Sequence, residues 1–156
     1  MRTVRRRRLQ KKTDYKSRLS LLGSGKKRLV VRKTNRYVIS QIVESHIAQD
    51  KVLFGISSRD LLSHGWPEKL KGSLKSLPAS YLTGYLLGKM AKERKISEVI
   101  LDLGMHRNVH KSRIYAVVKG IVDAGIKIPH KSEILPETEK IEGNETFSSI
   151  IKSIKK

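Results

Sequence analysis

Alternation of apolar and polar side chains sets in at Arg28. Three short runs, RLVVRK (28–33), RYVISQIVE (36–44) and DKVLFGIS (50–57), are rich in β-branched and aromatic residues and are separated by the turn-forming TN and HIAQD. They predict a three-stranded antiparallel meander. In the second run Tyr37, Ile39 and Val43 alternate with Val38, Ser40 and Ile42, so that strand is expected to be apolar on both faces. The period then changes. Pro78 opens PASYLTGYLLGKMAKERK, where Leu82, Leu86 and Met90 recur every four residues as on one face of a helix. Gly84 and Gly88 interrupt it; each costs about 1 kcal/mol in a helix interior, which points to close packing, read here as packing on a sheet. The preceding SRDLLSHGWPEKLKGSLKSL reads as a long loop, and loops of that length are usually functional or mobile.

SEVILDLG (97–104) is a continuous apolar run closed by Gly104, suited to a buried parallel strand. Ser112 is placed to cap RIYAVVKGIVDAG, whose Ile114, Val118, Ile121 and Val122 share a face and which Gly125 terminates. IKIPH follows as a short strand stopped by Pro129. The order is strand, strand, strand, helix, strand, helix, strand, a mixed α/β layered domain with right-handed parallel crossovers. It occupies residues 26–132. Before it, residues 1–25 lack a sustained apolar period and read as an arm that orders on its partner. After it, residues 133–156 carry Glu133, Glu137, Glu139, Glu142 and Glu145, then a stripe of Phe147, Ile150, Ile151 and Ile154 that packs on its own domain or on a neighbouring protein.

Charge decides the class of partner. The 156 residues hold 34 Lys and Arg against 14 Asp and Glu, a formal +20 whose self-repulsion a polyanion would offset. Residues 1–36 contain 15 of those cations and a single acid, Asp14, so nucleic acid is the expected partner. Cysteine is absent, which fits a reducing compartment and removes thiolate metal sites. No apolar run suits a secretory leader or a membrane span, and Asp14 speaks against a transit peptide. A cytoplasmic protein is expected.

DLGMHRNVHKSRIYA (102–116) sets His106 and His110 four apart. On a helix these would have metal-ligand spacing, but Gly104, Asn108 and the cap at Ser112 place them in a loop, and the other histidines stand alone in separate segments. Asp102, closing a buried strand, resembles the carboxylates of ribonuclease H-like enzymes, whose topology this element order approximates. Such nucleases also need an acid on the first strand, and RLVVRK has none; Asp102 is expected to orient its own loop. Lys111 and Arg113 are unfavourable beside a helix N-terminus until an anion arrives, so Arg107, His110, Lys111, Ser112 and Arg113 read as a phosphate-binding corner. The RKTNRY turn repeats the theme: Arg32, Lys33 and Arg36 for phosphate, Thr34 and Asn35 for sugar or base, and Tyr37 either stacking on a base or sitting in the core. With aromatics at only 5%, backbone and shape recognition should dominate over stacking.

The arm together with RLVVRKTNRYVISQIV, GW, LPASYLTGYLLGKMA, LDLG and SRIYAVVKGIVDAGIKIPH resembles the large-subunit ribosomal protein L-eighteen family in its archaeal and eukaryotic-type form, in the same order over roughly residues 1–135. It departs from that family's usual residues at Ser76 and at Val109, His110 and Lys111. The resemblance implies a non-enzymatic ribosomal protein, without cofactor or metal, that binds 5S ribosomal RNA and attaches it to the large ribosomal RNA in the central protuberance, among neighbouring ribosomal proteins. It implies a three-layer α/β/α sandwich on a mixed five-stranded sheet. RNA-facing residues would be Arg2, Arg5, Arg6, Arg7, Arg8, Lys11, Lys12, Lys16 and Arg18 in the arm, with Lys26 and Lys27 following, then Arg32 to Tyr37 and His106 to Arg113. The rival readings are a metal-dependent nuclease using Asp102 and a nonspecific basic RNA-binding protein.

Overall fold

The computed structural model describes residues 6–47, 49–142, 147, 150, 151 and 154. Strands β1 (Arg28–Lys33), β2 (Val38–His46) and β3 (Gln49–Ser57) form the meander, and β4 (Ile100–Asp102) joins β1 in parallel, giving the order β3-β2-β1-β4. The helices are α1 (Arg6–Leu9), α2 (Tyr15–Gly23), α3 (Leu77–Glu93), α4 (Arg113–Asp123) and α5 (Thr138–Glu142). Pairing Leu29 with Ile42 and Ile42 with Phe54 lines up one apolar sheet face, continued by Val31, Val38 and Ile56. A bulge between Ile42 and Val43 twists β3 away from a flat edge.

Both α3 and α4 rest on that apolar face, α3 over β2 and β3 and α4 over β1. Two successive right-handed crossovers moving the same way across the sheet deliver both helices to the same side. The three-layer sandwich expected from the sequence therefore lacks a core helix on its other side. That face carries Arg28, Val30, Arg32, Gln41, Val43, Asp50 and Asp102, and with Ser17, Arg18 and Leu21 of α2 these residues line a cavity of about 280 Å³. The segment read as an arm without periodicity thus contains a helix, capped by Asp14, whose carboxylate accepts from the Lys16 and Ser17 amides.

The close packing foreseen at the glycines is helix on helix, not helix on sheet. A Cβ on Gly84 would fall 2.2 Å from the Val117 carbonyl oxygen, and one on Gly120 would fall 2.2 Å from that of Tyr81. The long loop is ordered by two 3-10 segments, Ser58–His64 and Glu68–Ser73, and buries Leu61, Trp66 and Leu74 in the core.

Five strands were expected and four form. Val99 N–H donates to the Lys127 carbonyl (3.0 Å) and Lys127 N–H to that of Ser97 (2.9 Å), an isolated parallel bridge in the place of the fifth strand. Gly125, at φ +102°, ends α4 just before this segment, and Pro129 has no amide to donate, so pairing stops at one residue. Ile126 and Ile128 are nonetheless buried. In the tail, Phe147, Ile150 and Ile154 are helical and buried, with Phe147 against Tyr81 (ring centroids 5.6 Å) and Lys89 donating to the Ile154 carbonyl at 2.8 Å. The stripe packs on its own domain.

Candidate nucleic-acid interface

The floor of the site is a charged network on the polar sheet face. Parallel pairing of Val30 with Asp102 sets Arg28 and Arg32 on either side of that carboxylate. Arg28, 2% exposed, donates to Asp102 Oδ2 (2.6 Å), to Asp50 Oδ1 (2.6 Å) and to Ser45 Oγ (2.8 Å). Arg32 donates to Asp102 Oδ1 (3.0 Å) and to the Asp102 and Val31 carbonyls. Asp102 Oδ1 also accepts the Gly104 amide at 2.8 Å, as a loop-orienting residue would. Gly104 is at φ +59°, and a Cβ there would meet the Arg32 guanidinium at 2.7 Å. Burial would raise the Asp50 carboxyl, but hydrogen bonds from Arg18, Ser45 and Arg28 override it and hold it at about 2.

This network bears on two readings of the sequence. Asp102 is held by two guanidinium groups where a nuclease would need a divalent cation, and among the described residues no cluster of three His, Asp or Glu side chains could hold a metal. Arg32, read from the sequence as a phosphate ligand, is engaged on the protein's own carboxylate and carbonyls, with its side chain still 38% exposed.

On this floor the two loops singled out by charge meet at one end of the sheet. His106 Nε2 accepts the Lys33 backbone N–H at 3.0 Å, which joins the 104–111 loop to the β1–β2 turn. Accepting there requires a neutral ring, and burial, with Arg32 and Lys33 nearby, lowers its pKa from the ordinary 6.5. Thr34 closes the turn on itself: its hydroxyl donates to the Tyr37 carbonyl (2.9 Å) and accepts the Tyr37 amide (2.9 Å), so it is not free for sugar or base. Tyr37 packs against the core. Lys33, Asn35, Arg36, Arg107 and His110 are exposed, and Arg113 half-buried. None of Lys33, Arg36, Arg107 and Arg113 pairs with a carboxylate among the described residues.

Asn108 accepts the Tyr115 hydroxyl at 2.6 Å, pinning the loop to α4. Ser112 occupies the N-cap position of α4 without a side-chain bond to its amides. Lys111, in the left-handed region at φ 55°, donates its amide to the Ile134 carbonyl (2.8 Å) and its ammonium to Glu137 Oε1 (2.5 Å), so the acidic tail already holds one cation of the corner. In the arm, Arg6, Arg7 and Arg8 lie in α1, with Arg7 donating to Thr13 Oγ1 at 2.9 Å; Lys11 and Lys12 are exposed beyond it and Lys16 on α2. Arg18 pairs with Asp50 at 2.8 Å. Arg2 and Arg5 lie outside the described residues. Lys26 pairs with Glu98 (2.5 Å) and Lys27 with Glu44 (3.3 Å), at the opposite end of β1 from the two loops.

Sequence reasoning left out Met105, which stands 53% exposed beside Val109, itself 50% exposed, among the loop's cations. The signal was available: two apolar side chains in a loop of Gly, His, Arg and Asn belong to no helical or strand period. Among the described residues no helix is long and apolar enough to cross a membrane.

The family model described as ribosomal large subunit proteins 60S L5 and 50S L18 matches residues 1–95 and 88–131. The chain is 46% identical over 143 residues to the large ribosomal subunit protein uL18 of Korarchaeum cryptofilum, covering 92% of this chain and 71% of that protein. It is 44% identical over 137 residues to that of Aeropyrum pernix, covering 87% of this chain and 62% of that protein. These relatives are structural proteins of the ribosome and not enzymes. With two cationic loops gathered at one end of its sheet, the chain belongs to the family of large-subunit ribosomal proteins 60S L5 and 50S L18.

Proposed function

We propose that this protein binds 5S ribosomal RNA and attaches it to the large ribosomal RNA in the central protuberance, beside other proteins of that region. The observation that carries the reading is the His106–Lys33 bond, which holds two loops distant in sequence as one surface with Lys33, Arg36, Arg107 and His110 exposed and Arg113 half-buried. Such a surface fixes phosphates at set spacings, with specificity arising from shape. The Lys and Arg side chains of the arm add contacts along the backbone, and residues 1–25, 26–132 and 133–156 act as arm, core and tail. We further infer that the core follows the ribonuclease H-like plan with residues 126–129 in the fifth strand's place, a reading supported by the parallel bridge between Glu98 and Lys127.

The test is competition at about 0.15 M salt, where loose electrostatic binding is suppressed. Full-length protein is offered labelled 5S RNA against an equal-length structured RNA in excess. Preference for 5S RNA is expected. Equal binding would reduce the protein to a nonspecific basic RNA-binder.

A further inference from the structure

We infer that a second RNA segment is held in a groove at the end of the sheet opposite the two loops; this rests on the RNA-binding reading above. The groove, about 630 Å³, runs from the start of β3 past the C-terminal end of α3 to the residues that lead into β4. Its cations are Lys26, Lys27, Lys51, Arg94 and Lys95; Lys26 is paired with Glu98 and Lys27 with Glu44, which leaves Lys51, Arg94 and Lys95 as its unpaired charge among the described residues. Lys26 and Lys27 were foreseen as RNA ligands from charge; the other three come from β3 and α3 and are brought to them only by the fold.

Two features favour a sugar–phosphate strand over a merely solvated surface. Arg94 lies 4.3 Å from the centroid of Phe54 and donates to the Leu53 carbonyl at 3.2 Å, which fixes its guanidinium at the groove wall without a carboxylate partner. Lys51 and Lys95 make no ion pair among the described residues. The floor of Val52, Leu53, Phe54 and Ile96 offers apolar surface to ribose and base edges. Six residues of β1 at ~3.3 Å each separate this groove from the His106–Lys33 surface by about 20 Å. That is too far for neighbouring phosphates of one strand, so the groove holds nucleotides other than those at the loops, and the cleavage pattern decides whether they belong to a separate segment.

Because the chain contains no cysteine, one introduced thiol is unique. Full-length Ser97→Cys and Asn35→Cys proteins, each carrying an iron–EDTA tether that cleaves nearby RNA, are assembled with 5S and large-subunit ribosomal RNA. Two separate sets of cleavage sites are expected. Cleavage from position 35 with silence at 97 would overturn the groove and leave it to an acidic protein segment, and a single shared set would overturn the second segment. Silence from both would sink the RNA-binding reading itself. In parallel, Lys51→Ser combined with Lys95→Asn, chosen because residue 95 sits at φ 58° and asparagine tolerates that left-handed backbone, should flatten the log–log salt slope for the assembled RNAs by about 1.4–1.8, two phosphates' worth. An unchanged slope with an unchanged melting temperature would overturn the proposal.

Discussion

Asp102 shows how one side chain can serve the site without touching a ligand. It meets Arg28, Arg32 and the Gly104 amide at once, so replacing it breaks a buried ion pair and leaves the Arg28 guanidinium to Asp50 and Ser45 alone. Asp102→Ala is expected to lower stability by about 3–5 kcal/mol in urea denaturation; a loss under about 1 kcal/mol would mean that water replaces the carboxylate. His106 carries the second residue-scale prediction. Its folded pKa lies below 6.5, so the native state disfavours the proton. The stabilisation it supplies is complete above 6.5 and disappears as pH falls through the lowered folded value. Imidazole NMR should therefore give a midpoint below 6.5, and His106→Ala should flatten the stability profile in that window; a midpoint at or above 6.5 would exclude the bond to Lys33. The sequence made the charge of Arg32 legible but not its engagement, because the partner lies 70 positions away across a parallel pairing that no local pattern encodes.

Among the elements, β1 was legible to the residue, since Arg28–Lys33 is bounded by turn formers on both sides. The helical period likewise located α3 and α4. What the period could not supply was the neighbour: a glycine in a helix announces that something comes close, not whether it is strand or helix. Here Gly120 meets the backbone of Tyr81 and Tyr85. Gly120→Ala should thus force α3 and α4 apart and destabilise by about 1–3 kcal/mol despite the better helix former, read from the denaturation midpoint; a neutral result would show that the pair slides freely. Helix α2 escaped notice because it has no apolar stripe to find. It is held over a polar sheet face, with Tyr15, Arg18, Leu21 and Leu22 half-buried, and Asp14 as cap was its only local sign. The fifth strand failed for the opposite reason: its apolar residues are buried as expected, but Pro129 and Gly125 leave too little backbone to pair.

Taken as a whole, the molecule is a cationic body that brings part of its own counter-charge. Glu137 binds Lys111 at the end of the sheet where the two cationic loops meet, and Lys111 and Lys140 hold its carboxyl below the usual range. Glu137→Gln should free Lys111 for phosphate, steepening the salt dependence of 5S RNA binding by about 0.7–0.9 in log–log slope. Titrations from low to moderate salt would read this, and an identical slope would remove Lys111 from the interface. The bulged outer strand has a different consequence. An open, flat sheet edge is a template on which copies of a chain zip together. β3 presents Asp50 and Lys51 and the twist of its bulge instead. The free protein is therefore expected to stay monomeric as its concentration rises, which light scattering would read; concentration-dependent growth of the particle would show that the edge is not protected.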